Sequence, residues 1–150
     1  MSRTIPVPSA SRYEHRFPAV AANVAPVREA VVAVARRAGM DEPALADLAV
    51  AVSEALTNGV LHAFPDRPGS VTVAAGTDDG CFAVTITDDG CGMRARDDSP
   101  GLGLGLSLMG RLCGRVQLSP GPQGVGTSVH MTFPLGDAPA PRRRHTHAAA

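Results

Sequence analysis

Apolar positions fall into two rhythms along this 150-residue chain. In the first third they recur every three or four residues, which is the spacing of an amphipathic helix. Val24, Val27, Val31, Val34 and Ala35 form one stripe and predict a helix from Asn23 to Ala38, stopped by Gly39. Leu45, Leu48, Ala49, Val52, Leu56 and Val60 form a second. That helix has Asp41 as N-cap and Pro43 in its first turn, and runs to about Phe64. Elsewhere the rhythm is two. Tyr13 to Phe17 reads as a short strand. Ser70–Ala75 and Cys81–Thr87 read as a hairpin around Gly76-Thr77-Asp78-Asp79-Gly80, after a turn at Pro65–Gly69. Val116–Ser119 and Thr127–Phe133 read as another, across Pro120–Gly126. Between the hairpins lie a polar, glycine-bearing loop, Asp88 to Pro100, and a short helix, Leu104 to Leu112. The order is strand, two helices, two strands, helix, two strands. It predicts an α+β fold, a two-layer sandwich with a mixed or antiparallel sheet and helices on one face.

Composition sets the frame for that fold. Hydrophobic residues make up 44% and charged residues 19%, a globular balance. The low-complexity ends, 1–11 and 136–150, read as a flexible arm and a disordered tail around one domain, 12–135. Arg142, Arg143 and Arg144 make the tail basic, which fits a solvated extension. No apolar run approaches the ~18 residues of a membrane span, and the opening Met1–Pro6 lacks the apolar core of a signal peptide. The expectation is a soluble, cytoplasmic protein that does not meet a membrane.

Charge and cysteine content narrow the function classes. Lys is absent, and fourteen Arg balance fourteen acidic residues. A near-neutral body offers no electrostatic footprint for nucleic acid, and five aromatic residues with no Trp offer little base stacking. The P-loop lysine is excluded outright. Cys81, Cys91 and Cys113 form no CxxC pair and read as reduced thiols.

Chemistry gathers at three places. Glu54, Asn58 and His62 lie four residues apart and share one helix face beside the core stripe. Glu can take a proton from a hydroxyl or water, and the Asn carbonyl is a hard oxygen ligand suited to magnesium. Zinc is disfavoured, because no second His or Cys stands at ligand spacing. Asp88-Asp89-Gly90-Cys91-Gly92 follows a strand. There a carboxylate can accept an exocyclic amine while glycines let a flat ligand approach the backbone. Gly101-Leu102-Gly103-Leu104-Gly105-Leu106 opens a helix, where free amides and the helix dipole favour phosphate. Alone, each fits a plainer role: a solvent-facing stripe, a turn, a hinge. Together with Gly126-Thr127 they suit one pocket with adenine, metal and phosphate ends.

This combination resembles the GHKL ATPases, whose ATP-binding domain is called the Bergerat fold, and within them the small anti-sigma-factor serine kinases. The resemblance rests on Val52–Ala63, Ile86–Met93, Gly103–Leu108 and Gly126–Leu135, and spans roughly residues 13–135. It implies ATP and Mg²⁺ as cofactors. It implies Glu54 as general base and Asn58 as the Mg²⁺ ligand. Asp88 would bind the adenine amine, with Gly90 and Gly92 shaping that wall and Thr127 beside it. Gly103, Leu104 and Gly105 would offer amides to the phosphates. Arg94–Pro100 would form a short lid, whose Arg94 and Arg96 fit solvated charges better than contacts to the γ-phosphate, and His62 carries no assigned catalysis. The implied function is phosphorylation of Ser or Thr on a STAS-domain antagonist, with sequestration of a sigma factor and a homodimer through the sheet edge. A nucleotide-gated binding module without turnover fits the same residues.

Overall fold

The computed structural model describes residues 12–61, 69–90 and 109–135. The arm 1–11, the tail 136–150, His62, most of the predicted Pro65–Gly69 turn, Gly92, the Arg94–Pro100 segment, and Gly103, Leu104 and Gly105 lie outside the described residues.

Five strands form one antiparallel sheet: β1 (Tyr13–Pro18), β2 (Ser70–Asp78), β3 (Cys81–Asp88), β4 (Arg115–Pro120) and β5 (Thr127–Pro134). Their spatial order is β1-β2-β3-β5-β4, and every neighbouring pair is antiparallel. Two helices, α1 (Val24–Arg37) and α2 (Glu42–Leu61), pack on one face. This is the predicted α+β sandwich.

The caps explain where the helices stop and start. Gly39 has φ +98°, a conformation L side chains rarely adopt. It lets the Gly39 N–H reach Arg36 O and the Met40 N–H reach Ala35 O, both at 3.1 Å. This is a Schellman closure of α1. Two residues later the Asp41 carboxylate accepts the Ala44 N–H at 2.9 Å, as an N-cap should.

Alternation along the strands builds the other half of the core. Val71, Val73 and Ala75 of β2, Phe82, Val84 and Ile86 of β3, and Met131 and Phe133 of β5 are buried against the helices. From the helices come Val27, Val31, Val34, Leu45, Leu48, Val52 and Leu56. Each large apolar side chain buried in this way contributes roughly 1.5–3 kcal/mol relative to exposure. The opposite sheet face carries small polar residues. Thr85 Oγ1 bonds His130 Nδ1 at 2.8 Å, and Thr87 Oγ1 bonds Ser128 Oγ at 3.0 Å.

Three details depart from the expectation. The first hairpin turns at Asp79 and Gly80 alone, both with positive φ, so Gly76, Thr77 and Asp78 join the strand. A two-residue turn with both central residues left-handed matches the twist of its strands, so pairing runs further than side-chain alternation suggested. On α2, Ala51, Ala55 and Gly59 are buried while Ala49 and Val60 are only partly so. Small residues let the helix approach the sheet closely and rotate the buried face toward them. Finally, α2 is long and apolar enough by length and composition to cross a membrane, although no unbroken apolar run is present. Leu45, Leu48, Val52 and Leu56 instead place it in the core.

Candidate functional site

The site grows from the end of the sheet where β3 stops. Ile86 and Val84 point to the helices, so Asp88, two and four residues on, shares their side. A carboxylate thus ends a column of apolar residues and is only 7% exposed. Burying a charge is costly unless it is hydrogen-bonded. Asp88 Oδ1 accepts the Gly90 N–H at 3.0 Å, closing a tight turn as the chain leaves the strand.

Thr127 stands directly opposite Asp88 in the β3–β5 register. It is 4% exposed, and its Oγ1 is buried with no hydrogen-bond partner among the described residues. A buried hydroxyl left unpaired costs about 1–3 kcal/mol, so this one can take a further partner.

Two glycines hold the backbone there. Gly126, at φ +73°, lies so close to Asp88 that a Cβ would sit 1.9 Å from its carbonyl oxygen. At Gly121 a Cβ would sit 2.0 Å from the Val125 carbonyl oxygen and 3.5 Å from that of Asp88. Only glycine fits these positions without moving the backbone of Asp88 or Val125. Spacing alone missed this packing, though the Gly126-Thr127 pair pointed to it.

On α2, Glu54 and Asn58 are both half-buried. Arg28 Nη1 donates to Ser53 Oγ at 3.3 Å and ties α1 to one flank of the helix. At about 100° per residue, Asn58 sits on the flank turned away from that bond. Its neighbour Gly59 lies over the sheet, where a Cβ would be 3.5 Å from Val71 Cγ2. Val71 is the β2 partner of Asp88. The last turns of α2 therefore stand above the Val71–Asp88–Thr127 row, bringing the Asn58 segment and Asp88 to the same end of the same face. Of the sequence-derived site residues, Glu54, Asn58, Asp88, Gly90 and Thr127 are described. Gly92, Gly103, Leu104 and Gly105 are not.

The buried carboxylate and hydroxyl can bond a polar edge of a ligand. Asp88 can accept an amine, and the unpaired Thr127 hydroxyl can donate or accept beside it. Among the described residues no group of three His, Cys, Asp or Glu could hold a metal ion. Magnesium needs no such cage, because it uses one or two protein oxygens and takes the rest from phosphates and water.

Comparison with known proteins identifies the family. A family model described as the histidine kinase-like ATPase domain matches residues 17–133. The chain is 31% identical over 134 residues to the anti-sigma F factor of Pasteuria penetrans, covering 81% of this chain and 89% of that one. It is 33% identical over 79 residues to the serine-protein kinase RsbW of Bacillus mycoides strain KBAB4, covering 53% of this chain and 49% of that one. The crystal structure of the RsbU and RsbW domains of Rv1364c from Mycobacterium tuberculosis superposes with a TM-score of 0.67 at 24% identity. That match covers 87% of this chain and 34% of the other. The chain belongs to the histidine kinase-like ATPase family, in its anti-sigma-factor serine-kinase branch.

Proposed function

We propose that this protein is an ATP-dependent serine/threonine kinase of a partner switch, one that phosphorylates a STAS-domain antagonist and sequesters a sigma factor. Family membership supports the class, and the buried Asp88–Thr127 pair with its unpaired hydroxyl is the observation that carries the ligand. Such a switch acts in the cytoplasm on proteins, without touching nucleic acid itself, and the resemblance implies that it works as a homodimer.

In this reading Asp88 accepts the adenine amine and Thr127 bonds the base beside it. Gly90 and Gly92 shape that wall without Cβ atoms. Gly103, Leu104 and Gly105 would supply backbone amides to the phosphates. The Asn58 carboxamide oxygen would hold Mg²⁺, which would neutralise phosphate charge when bound. Glu54 takes the proton of the attacking Ser or Thr hydroxyl as its oxygen bonds the γ-phosphorus. The bond from that phosphorus to the bridging oxygen breaks, and ADP leaves with the electron pair.

Labelled ATP and a STAS-domain antagonist test the reading. Glu54→Gln should still bind ATP and should transfer phosphate at least 100-fold more slowly, the scale of a lost general base. Transfer at the normal rate would remove Glu54 from the chemistry. Nucleotide binding with no labelled antagonist from the native chain would favour the switch without turnover.

A further inference from the structure

Asp89 holds the sheet in an unusual way. The β2–β3 ladder ends at Val71 opposite Asp88, and one step further Ser70 would face the main chain of Asp89. Instead the Asp89 side chain takes over. Its Oδ1 accepts the Ser70 N–H at 3.1 Å, in the place a backbone carbonyl would occupy. The backbone is thereby released to turn through Asp88 and Gly90 while β2 stays attached. On the other side, Gly126 presses against the Asp88 carbonyl. The Asp88–Asp89 peptide is pinned between β5 and β2. A more exposed ion pair, Asp89 Oδ2 to Arg16 Nη2 at 3.6 Å, extends the attachment to β1. Exposed pairs contribute little, so of these two contacts the Ser70 bond is the stronger.

We infer that Asp89 is a positioning residue for adenine recognition: by bonding the Ser70 N–H it sets the turn that aims the Asp88 carboxylate at the exocyclic amine. This rests on the proposed role of Asp88. The mechanism is geometric. Without the Asp89 carboxylate the turn can pivot, and Asp88 loses its direction before the rest of the fold loses anything. The consequence is specific to the amine. Inosine triphosphate carries an oxo group where ATP carries the amine, and otherwise keeps the same ribose and triphosphate. A displaced Asp88 therefore weakens ATP and leaves inosine triphosphate nearly untouched.

The test measures Kd for Mg-ATP and Mg-inosine triphosphate on the full chain and on Asp88→Asn, Asp89→Ala and Asp89→Asn. The native chain should prefer ATP, and Asp88→Asn should abolish the preference. Asp89→Ala should cut the preference about tenfold, through ATP alone, the scale of one lost partly buried hydrogen bond. Asp89→Asn keeps an oxygen acceptor for Ser70 and should restore most of it. Equal weakening of both nucleotides by Asp89→Ala, or an unchanged preference, overturns the inference while leaving Asp88 in place. If Asp89→Ala does not fold, Asp89→Asn and Asp89→Glu decide: a one-methylene shift of the acceptor should lower the preference relative to Asn, and equal preferences overturn it. A native chain that does not discriminate between the nucleotides overturns both roles.

Discussion

Thr127 and Asp88 are the only polar residues among the buried side chains described, and they face each other. Their chemistry predicts opposite responses to one substitution. Thr127→Val replaces an unpaired buried hydroxyl with a methyl of nearly the same shape. The free protein should gain up to about 1 kcal/mol, read as a higher thermal midpoint, because no hydrogen bond among the described residues is lost and a desolvated polar group is removed. The same change should weaken Mg-ATP binding about tenfold, since the added partner has nothing to bond. A threonine that only fills space would not separate the two measurements. The sequence singled out Asp88 and Thr127 as candidates by different routes. Asp88 ends an alternating strand and is followed by glycines, so the residues themselves announce it. Thr127 was identified by resemblance, because nothing local distinguishes it from any threonine that starts a strand.

At the scale of elements, the connection between β4 and β5 determines where Asp88 sits. Gly126→Ala puts a methyl group against the Asp88 carbonyl in a φ +73° conformation that disfavours any side chain. The backbone must move. Stability should fall by about 1–3 kcal/mol, and Mg-ATP affinity should fall further than that loss explains. Chemical denaturation and nucleotide titration measured together distinguish the two effects. The end of α1 and the start of α2 were legible for a physical reason: the Asp41 cap and Gly39 stop are short-range hydrogen bonds among residues close in sequence. The rotation of α2 was not. Ala51, Ala55 and Gly59 are buried because the sheet lies beneath them, and hydrophobic periodicity weights small residues too lightly to reveal it.

For the whole molecule, the sheet face opposite the helices links stability to pH through His130. Burial lowers its pKa below the ordinary value near 6.5, the charge of Arg115 pushes the same way, and Asp78 opposes them. The unfolded chain then binds a proton that the folded chain resists. This contribution to stability is complete above about pH 6.5 and is lost as pH falls through the lower folded value. The thermal midpoint should decline on acidification below that point, and His130→Gln should decline less steeply. Equal slopes would remove His130 from the acid response. Burial also raises the Cys81 and Cys113 thiols, and Asp78 and Asp79 add to the effect at Cys81. Neither is an activated nucleophile near neutrality.

By itself, the sequence determined the elements, the layer class and the chemical types at the site. Those follow from side-chain period, caps and turn residues, which act over a few positions. Only the tertiary structure decided that Thr127 would have no partner among the described residues, that Gly126 and Gly121 would crowd Asp88, and that a side-chain carboxylate of Asp89 would stand in for main chain at the end of β2. Each of these depends on the register between strands distant in sequence. Register is set by closing the sheet under the helices, a property of the assembled core that no local window contains.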